Sequence, residues 1–123
     1  MQHSEKALTG YENLHVWQQS MDLVVAVYEL VKSFPREELY ALTDQIKRSA
    51  VSIPSNIAEG GSRNSRKEFV QFLYIALGSA SELETQLRIA ERVGFAKTSS
   101  VIQSKIIPIK KMLNALIKSR KGK

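Results

Sequence analysis

Metal binding is the first chemistry to consider for the residue types of this chain. Glu12 and His15 have the Glu-x-x-His spacing with which di-iron helical bundles hold their metals. Such centres use two of these motifs and two further glutamates, whereas the other histidine is His3, near the N-terminus. The chain has no cysteine, which excludes thiolate-bound zinc and disulfide frameworks. We therefore predict no metal site and no cofactor.

Catalytic groups are also missing from the pattern. The serines are many, but two histidines near the N-terminus give no sign of a base with an orienting partner. Gly60 and Gly61 are followed by Ser62 and Arg63, which marks a helix end, because a phosphate-binding loop needs a glycine and lysine pattern after a strand. Four glutamates are possible buried carboxylates, but surface ion pairs explain them better: Glu59, Glu82, Glu84 and Glu91. The sequence predicts that the protein is not an enzyme.

Basic side chains are the remaining candidates for function. The net charge is +6, and it is unevenly distributed along the chain. Residues 1–91 contain nine Lys or Arg and twelve acidic residues, while residues 92–123 contain nine Lys or Arg and no acidic residue. A basic C-terminal part indicates an anionic partner, although solvated charge on a helix face explains it as well.

Two groups of cations could contact the phosphates of RNA or DNA. The first group, in the last predicted helix, is Lys105, Lys110, Lys111, Lys118, Arg120 and Lys121. The second group, near the predicted junction of helices two and three, is Lys47, Arg48, Arg63, Arg66 and Lys67. Arg66 and Lys67 are at a predicted helix N-terminus, where cations are disfavoured unless an anion is near. Aromatic residues beside these groups look scarce, so stacking on bases is a weaker expectation.

Helix three is the element with the clearest period. Its apolar residues recur in alternating steps of four and three, which keeps one face of a helix against a partner. These residues are Phe69, Leu73, Ala76, Ala80, Leu83, Leu87 and Ala90. Ser65 and Glu68 form a capping-box pattern before it, and Gly94 ends it. Gly78 and Ala80 at its middle predict a close approach to a neighbouring helix.

Helix one is predicted from Asn13, as N-cap, to Ser33. Its core-facing residues are predicted to be Leu14, Trp17, Met21, Val24, Tyr28 and Val31. The helix contains more apolar residues than one core face needs. The surplus residues predict an oligomer interface formed by Val16, Leu23, Val27 and Leu30.

Each of the other two helices contains a proline. Helix two is predicted to begin at residues 36–39 and to end at Gly60-Gly61, with a kink or short break near Pro54. Helix four is predicted to begin at Thr98 or Ser99 and to run to Ser119, with a kink or break near Pro108. The short loop between helices two and three makes them antiparallel neighbours.

These elements predict an all-α fold, an up-down-up-down four-helix bundle. The bundle covers residues 13–119, after a flexible leader of residues 1–12 and before a disordered basic tail of residues 120–123. No apolar run is long enough for a membrane span, and the N-terminal residues lack the apolar centre of a signal peptide. We therefore expect a cytoplasmic protein without membrane contact.

Three stretches of the chain resemble the four-helix-bundle proteins encoded in intervening sequences of bacterial 23S ribosomal RNA genes, also called S23 ribosomal proteins. The stretches are LHVWQQSMDLVVAVY (14–28), FPREELYALTDQIKRSAVSIPSNIAEG (34–60) and SRKEFVQFLYIALGSASELETQL (65–87). The run SIPSNIAEG (52–60) makes the resemblance specific, while Gly61 departs from the bulkier residue common in the family.

The resemblance implies a bacterial bundle protein that forms a ring-shaped homopentamer. It also implies kinship with the accessory variability proteins of diversity-generating retroelements, which are basic pentamers that bind a reverse transcriptase and nucleic acid. Two hypotheses follow. The protein is an oligomeric accessory protein that binds RNA or DNA, or it is a scaffold that binds itself or a protein partner without binding nucleic acid.

Overall fold

Helices that run in alternating directions surround one apolar core. The computed structural model describes residues 10–122, and in that range it contains helices and turns but no strand. The helices in chain order are α1 (His15–Leu30), α2 (Leu42–Gly61), α3 (Arg66–Arg92), α4 (Ser99–Val101) and α5 (Ile107–Lys121), with a π-helical turn (Ile102–Ile106) joining α4 to α5. α4, the π-helical turn and α5 together form the fourth helix. The predicted all-α four-helix bundle is confirmed.

The predicted oligomer interface on α1 is wrong as a free surface. Val16, Leu23 and Val27 are buried in the core of this chain, and Leu30 is half-buried against the same core. A core of this kind removes apolar side chains from water, and each large side chain stabilises the fold by roughly 1.5 to 3 kcal/mol. These residues therefore stabilise the bundle, and other residues form the outward face of α1.

The face of α1 that points outward contains Met21, Val25 and Tyr28, all of them exposed. The apolar period predicts Met21 and Tyr28 in the core instead. Ser20 explains the error, because it is fully buried on the core side of α1 although it is polar. Its hydroxyl donates to the carbonyl oxygen of Trp17 at 2.8 Å, which satisfies the hydroxyl inside the core. A polar residue thus occupies a core position and hides the true apolar period.

α2 runs unbroken through Pro54, which is buried inside it. The predicted break near this residue is absent. The helix begins later than predicted, at Leu42, because Arg36–Glu38 forms a separate 3-10 turn before it.

α3 begins at Arg66, directly after Ser65, and the Ser65 half of the predicted capping box is confirmed. Ser65 has extended backbone angles, and its hydroxyl accepts a hydrogen bond from the amide of Glu68 at 3.1 Å. This bond satisfies one of the amides that the first turn of a helix leaves unpaired. The predicted close approach is wrong at Gly78, because Gly78 is exposed and a Cβ there would meet no atom within 4 Å, whereas Ala80 is fully buried. The close approach to α3 is made by Gly60 of α2 instead, where a Cβ would lie 2.6 Å from the Cβ of Phe72.

The fourth helix is distorted next to Pro108, as predicted. The π-helical turn Ile102–Ile106 comes just before Pro108, which occupies the first turn of α5. Proline has no amide to donate and its ring crowds the preceding turn, so a wider turn accommodates it. The N-terminus of this helix is capped from α3, since the carboxylate of Glu91 accepts hydrogen bonds from the amides of Thr98 at 2.6 Å and Ser99 at 3.2 Å.

The structure places both ends of the bundle differently from the prediction. Gly10–Asn13 forms a 3-10 turn, so the end of the predicted leader is ordered, while residues 1–9 lie outside the described residues. The turn precedes α1, whose N-cap is Leu14 instead of the predicted Asn13. α5 continues to Lys121, so Arg120 and Lys121 are helical instead of belonging to a disordered tail, and Lys123 lies outside the described residues. Within residues 10–122, no helix is both long and apolar enough to cross a membrane.

Candidate nucleic-acid interface

Three parts of the chain bring cations together at one end of the bundle. α2 ends there at Gly61, α3 begins there at Arg66, and α5 ends there at Lys121. We call this surface the basic end, and define it by Arg63, Arg66, Lys67, Arg120 and Lys121. The antiparallel course of α3 and α5 is what joins the two predicted groups of cations, since the C-terminal turn of α5 lies beside the first turns of α3.

The basic end contains a first cavity of about 320 Å³. Three arginines line it: Arg63, Arg66 and Arg120. The rest of its wall is formed by Gly10, Tyr11, Leu14, Gly60, Gly61, Ser65 and Phe69. Gly61 allows this wall to close, because a Cβ there would lie 2.8 Å from the Cβ of Tyr11. The small residue at position 61 therefore has a local reason: the 3-10 turn of this chain lies directly over it.

A second cavity of about 390 Å³ lies beside the first. It is lined by Arg66, Lys67, Val70, Gln71, Tyr74, Arg120 and Lys121. Arg66 and Arg120 line both cavities and so form the wall between them. The ammonium group of Lys121 donates to the hydroxyl of Tyr74 at 3.1 Å, and it lies 5.6 Å from the centre of that ring.

Most charges of the basic end lack a carboxylate partner. Arg63 is the exception, because its guanidinium contacts Glu59 at 2.6 Å and Glu68 at 3.4 Å. Among residues 10–122, no carboxylate lies within ion-pair distance of Arg66, Lys67, Arg120 or Lys121. Arg66 and Lys67 also occupy the first two positions of α3, where the helix dipole disfavours positive charge. A bound anion would pair with these cations, and it would also interact favourably with the dipole of α3.

Aromatic rings lie beside these cations, contrary to the expectation from sequence. The guanidinium of Arg120 is 5.9 Å from the ring centre of Phe69, and that of Arg63 is 5.1 Å from Phe72. Tyr74 is half-exposed beside Lys121. Part of this arrangement of rings and cations is predictable from the spacing, because Tyr74 follows Lys67 by seven residues and therefore lies on the same helix face. The contacts with α5 depend on tertiary packing, which no local spacing reveals.

Comparison with known proteins places the chain in a family. The family model described as 23S rRNA-intervening sequence protein matches residues 12–115. The chain belongs to this family.

A crystal structure of another protein is similar to this member of the 23S rRNA-intervening sequence protein family. It is a protein of unknown function from the S23 ribosomal protein family of Bacteroides thetaiotaomicron. It is 31% identical, with a TM-score of 0.76, over 88% of this chain and 98% of that chain. Curated proteins gave no match. The kinship with accessory variability proteins and the reverse-transcriptase partner stay predictions, because neither comparison bears on them.

Three predicted contact residues of this family member lie away from the basic end. Lys47 and Arg48 are near the start of α2, roughly 20 Å from Gly61 at the 1.5 Å rise per residue of a helix. Lys47 lies 4.9 Å from the ring centre of Tyr28, and Arg48 pairs with Asp44 at 2.9 Å. Lys105 is in the π-helical turn, near the opposite end of the fourth helix. The structure thus divides the predicted second group between two ends of the bundle.

Lys110 is placed in a structural ion pair. Its ammonium group contacts the carboxylate of Glu84 at 3.1 Å, and Arg88 contacts the same carboxylate at 2.7 Å. The hydrogen bond from Arg88 and then that from Lys110 lower the pKa of Glu84 below its ordinary value, although partial burial opposes the shift. Lys110 therefore joins α5 to α3 and is a poor candidate for a phosphate contact. Lys111 and Lys118 remain exposed on α5.

The metal interpretation gains no group of ligands. His15 is exposed at the start of α1, and His3 lies outside the described residues. Within residues 10–122, no three His, Cys, Asp or Glu side chains are grouped as a metal ion would require.

Proposed function

We propose that this protein is a nucleic-acid-binding accessory protein, without catalytic activity, that holds the phosphates of RNA or DNA at its basic end. The observation that supports the proposal is the convergence of Arg66, Lys67, Arg120 and Lys121, none of which has a carboxylate partner among the described residues. Guanidinium and ammonium groups are the usual phosphate contacts of proteins, and arginine can bind a phosphate through two parallel hydrogen bonds.

The family supports the same proposal at a coarser level. Its description connects its members with intervening sequences of 23S rRNA, and the similar crystal structure is assigned to a ribosomal protein family. Both descriptions connect their proteins with RNA. The basic end supplies a surface on this chain that suits contact with RNA.

The dependence of binding on salt tests the proposal. Each phosphate that a cation neutralises releases a counterion, so log affinity falls linearly with log salt concentration, by about 0.7 to 0.9 per phosphate. A double variant, Arg66→Gln with Lys67→Gln, should bind RNA and DNA more weakly and with a shallower slope. Fluorescence anisotropy with labelled oligonucleotides at several salt concentrations, from roughly 50 to 200 mM, measures both quantities.

The matched control is Arg92→Gln with Lys97→Gln. These two residues carry the same charges, are exposed, and lie at the opposite end of α3 without an ion pair among the described residues. The control should keep the wild-type slope. Absence of binding by the wild-type protein at low salt, or equal slopes for the two double variants, would contradict the proposal.

A second candidate function is self-assembly as a scaffold. The outward face of α1 favours it, because Met21, Val25 and Tyr28 follow each other at helical spacing and Val25 is 65% exposed. Exposed apolar side chains in one row are typical of protein contact surfaces. This row takes the place of the interface predicted at Val16, Leu23, Val27 and Leu30, and the expected homopentamer would use it. Stable assembly without salt-dependent nucleic-acid binding would favour this second function alone.

A further inference from the structure

The two cavities of the basic end share one charged wall. Arg66 and Arg120 line both cavities, and they come from different helices, α3 and α5. A phosphate bound where the two cavities meet would lie beside both arginines. The groups attached on its two sides would then point toward the first and the second cavity.

Each cavity also offers an aromatic ring. Phe69 lines the first cavity beneath the guanidinium of Arg120. Tyr74 lines the second cavity, and it is 47% exposed although it is large and apolar. Lys121 contacts both the hydroxyl and the ring of Tyr74, so this side chain is held in place before any ligand arrives. A ring that is fixed and exposed loses little conformational entropy when a flat ligand stacks on it.

We propose that the basic end selects unpaired RNA or DNA, with a backbone phosphate on Arg66 and Arg120 and the adjoining base against Tyr74. The inference rests on the proposed function and adds the class of strand to it. Bases in a duplex are paired and stacked on each other, so they cannot enter a side cavity, whereas an unpaired base has a free face. Gln71 lines the same cavity and has donors and an acceptor for the edge of a base.

The test compares single strands with a duplex hairpin that has the same number of phosphates and whose loop is a linker without nucleotides. Oligo-U and oligo-dT represent unpaired RNA and DNA, and the two arms show whether the sugar matters. The wild-type protein should bind both single strands more tightly than the hairpin. Tyr74→Leu should lose about fivefold or more in affinity for the single strands, the low end of the effect of removing one base stack. Its affinity for the hairpin and its salt slope should stay at the wild-type values.

Two control variants separate stacking from other effects. Tyr74→Phe keeps the ring and its contact with the ammonium group of Lys121, and it removes only the hydroxyl, so it should keep the affinity for single strands that Tyr74→Leu loses. Tyr40→Leu makes the same change as Tyr74→Leu at a tyrosine that is 91% exposed just before α2, and it should have no effect. Circular dichroism of all three variants checks that the helices are intact.

The possible results distinguish this inference from the proposed function. Salt-dependent binding that is equal for hairpin and single strands, or that Tyr74→Leu leaves unchanged, would overturn the selection of unpaired strands alone. Absence of wild-type binding to every probe would overturn both. Equal loss for Tyr74→Leu and Tyr74→Phe would assign the effect to the hydroxyl contact with Lys121 and reject stacking.

Discussion

At the scale of single residues, the carboxylate of Glu84 connects α3 with α5. Its side chain is 15% exposed, and it receives hydrogen bonds from Arg88 of its own helix and from Lys110 of α5. These contacts lower its pKa, so in the folded protein it stays ionised to lower pH than in the unfolded chain. The resulting stabilisation is complete above the ordinary value of 4.5 and is lost as the pH falls through the lowered value.

Glu84→Gln should therefore destabilise the protein at pH 7 and have a smaller effect at pH 3. Urea unfolding followed by circular dichroism at the two pH values measures the difference in the free energy of unfolding. Glu37→Gln is the control, since Glu37 is exposed and has no ion pair among the described residues. An effect of Glu84→Gln that is the same at both pH values would show that the carboxylate charge contributes nothing. Lys110→Gln belongs to the same network, so it tests the fold and is unsuitable as a test of phosphate contacts.

At the scale of elements, the contact between α2 and α3 depends on a glycine that the sequence analysis treated only as a helix end. A Cβ at Gly60 would lie 2.6 Å from the Cβ of Phe72 and 3.3 Å from the carbonyl oxygen of Phe69. Neither atom is the far end of a flexible side chain, so the two helices would have to move apart. Gly60→Ala should lower the free energy of unfolding by about 1 to 3 kcal/mol, the usual cost of overpacking.

Gly78→Ala is the matched change with the opposite expected sign. Gly78 is exposed in the middle of α3, and a Cβ there would meet nothing within 4 Å. Alanine stabilises an exposed helix position by roughly 0.5 to 1 kcal/mol relative to glycine. Thermal and urea unfolding of the two variants against the wild-type protein measure both effects. A stabilised Gly60→Ala variant would mean that the helices separate without loss, and a destabilised Gly78→Ala variant would mean that α3 has a neighbour at Gly78.

The elements also show which features a sequence can predict. Ser65, Glu68 and Gly94 act through local backbone geometry, and α3 begins directly after Ser65 and ends two residues before Gly94. Pro108 distorts the fourth helix for an equally local reason. The orientation of α1 depends instead on which of two apolar faces meets the core, and buried Ser20 conceals the answer. Local signals therefore predict where helices begin and end, whereas the faces they bury depend on the whole bundle.

The basic end illustrates the same limit for function. All of its cations belong to the two groups that the sequence predicts. The fold brings part of the first group next to part of the second. Arg120 and Lys121 reach Arg66 and Lys67 because α5 is long enough to return to the start of α3. Lys110 was an equally good candidate by charge, but the packing of α5 on α3 gives it Glu84 as a partner.

At the scale of the whole molecule, the surface has two separate features. The basic end lies where α3 begins, and the apolar row of Met21, Val25 and Tyr28 runs along the outside of α1. If copies of the chain assemble through the apolar row, the basic ends remain outside the contact. Several copies would then bind one long strand together, with an effective concentration that raises the overall affinity.

Val25→Glu tests this coupling between assembly and binding. A charge in the middle of the apolar row would be buried without a partner in an assembled protein, so the variant should dissociate into smaller species. The fold should remain intact because Val25 is exposed within the chain, whereas Leu23→Glu would place the charge in the core and unfold it. Multi-angle light scattering at micromolar concentration measures the mass, and circular dichroism checks the helices.

Binding of long and short oligonucleotides completes the test. A long strand can reach several basic ends, so Val25→Glu should weaken its binding and make its salt slope shallower. A short strand reaches one basic end, so its affinity should not change. Val93→Glu makes the same substitution at an exposed valine beyond the end of α3, away from the row, and should leave mass and binding at wild-type values. A monomeric wild-type protein would contradict assembly, and a smaller Val25→Glu species that still binds long strands like the wild-type protein would show that one basic end is sufficient.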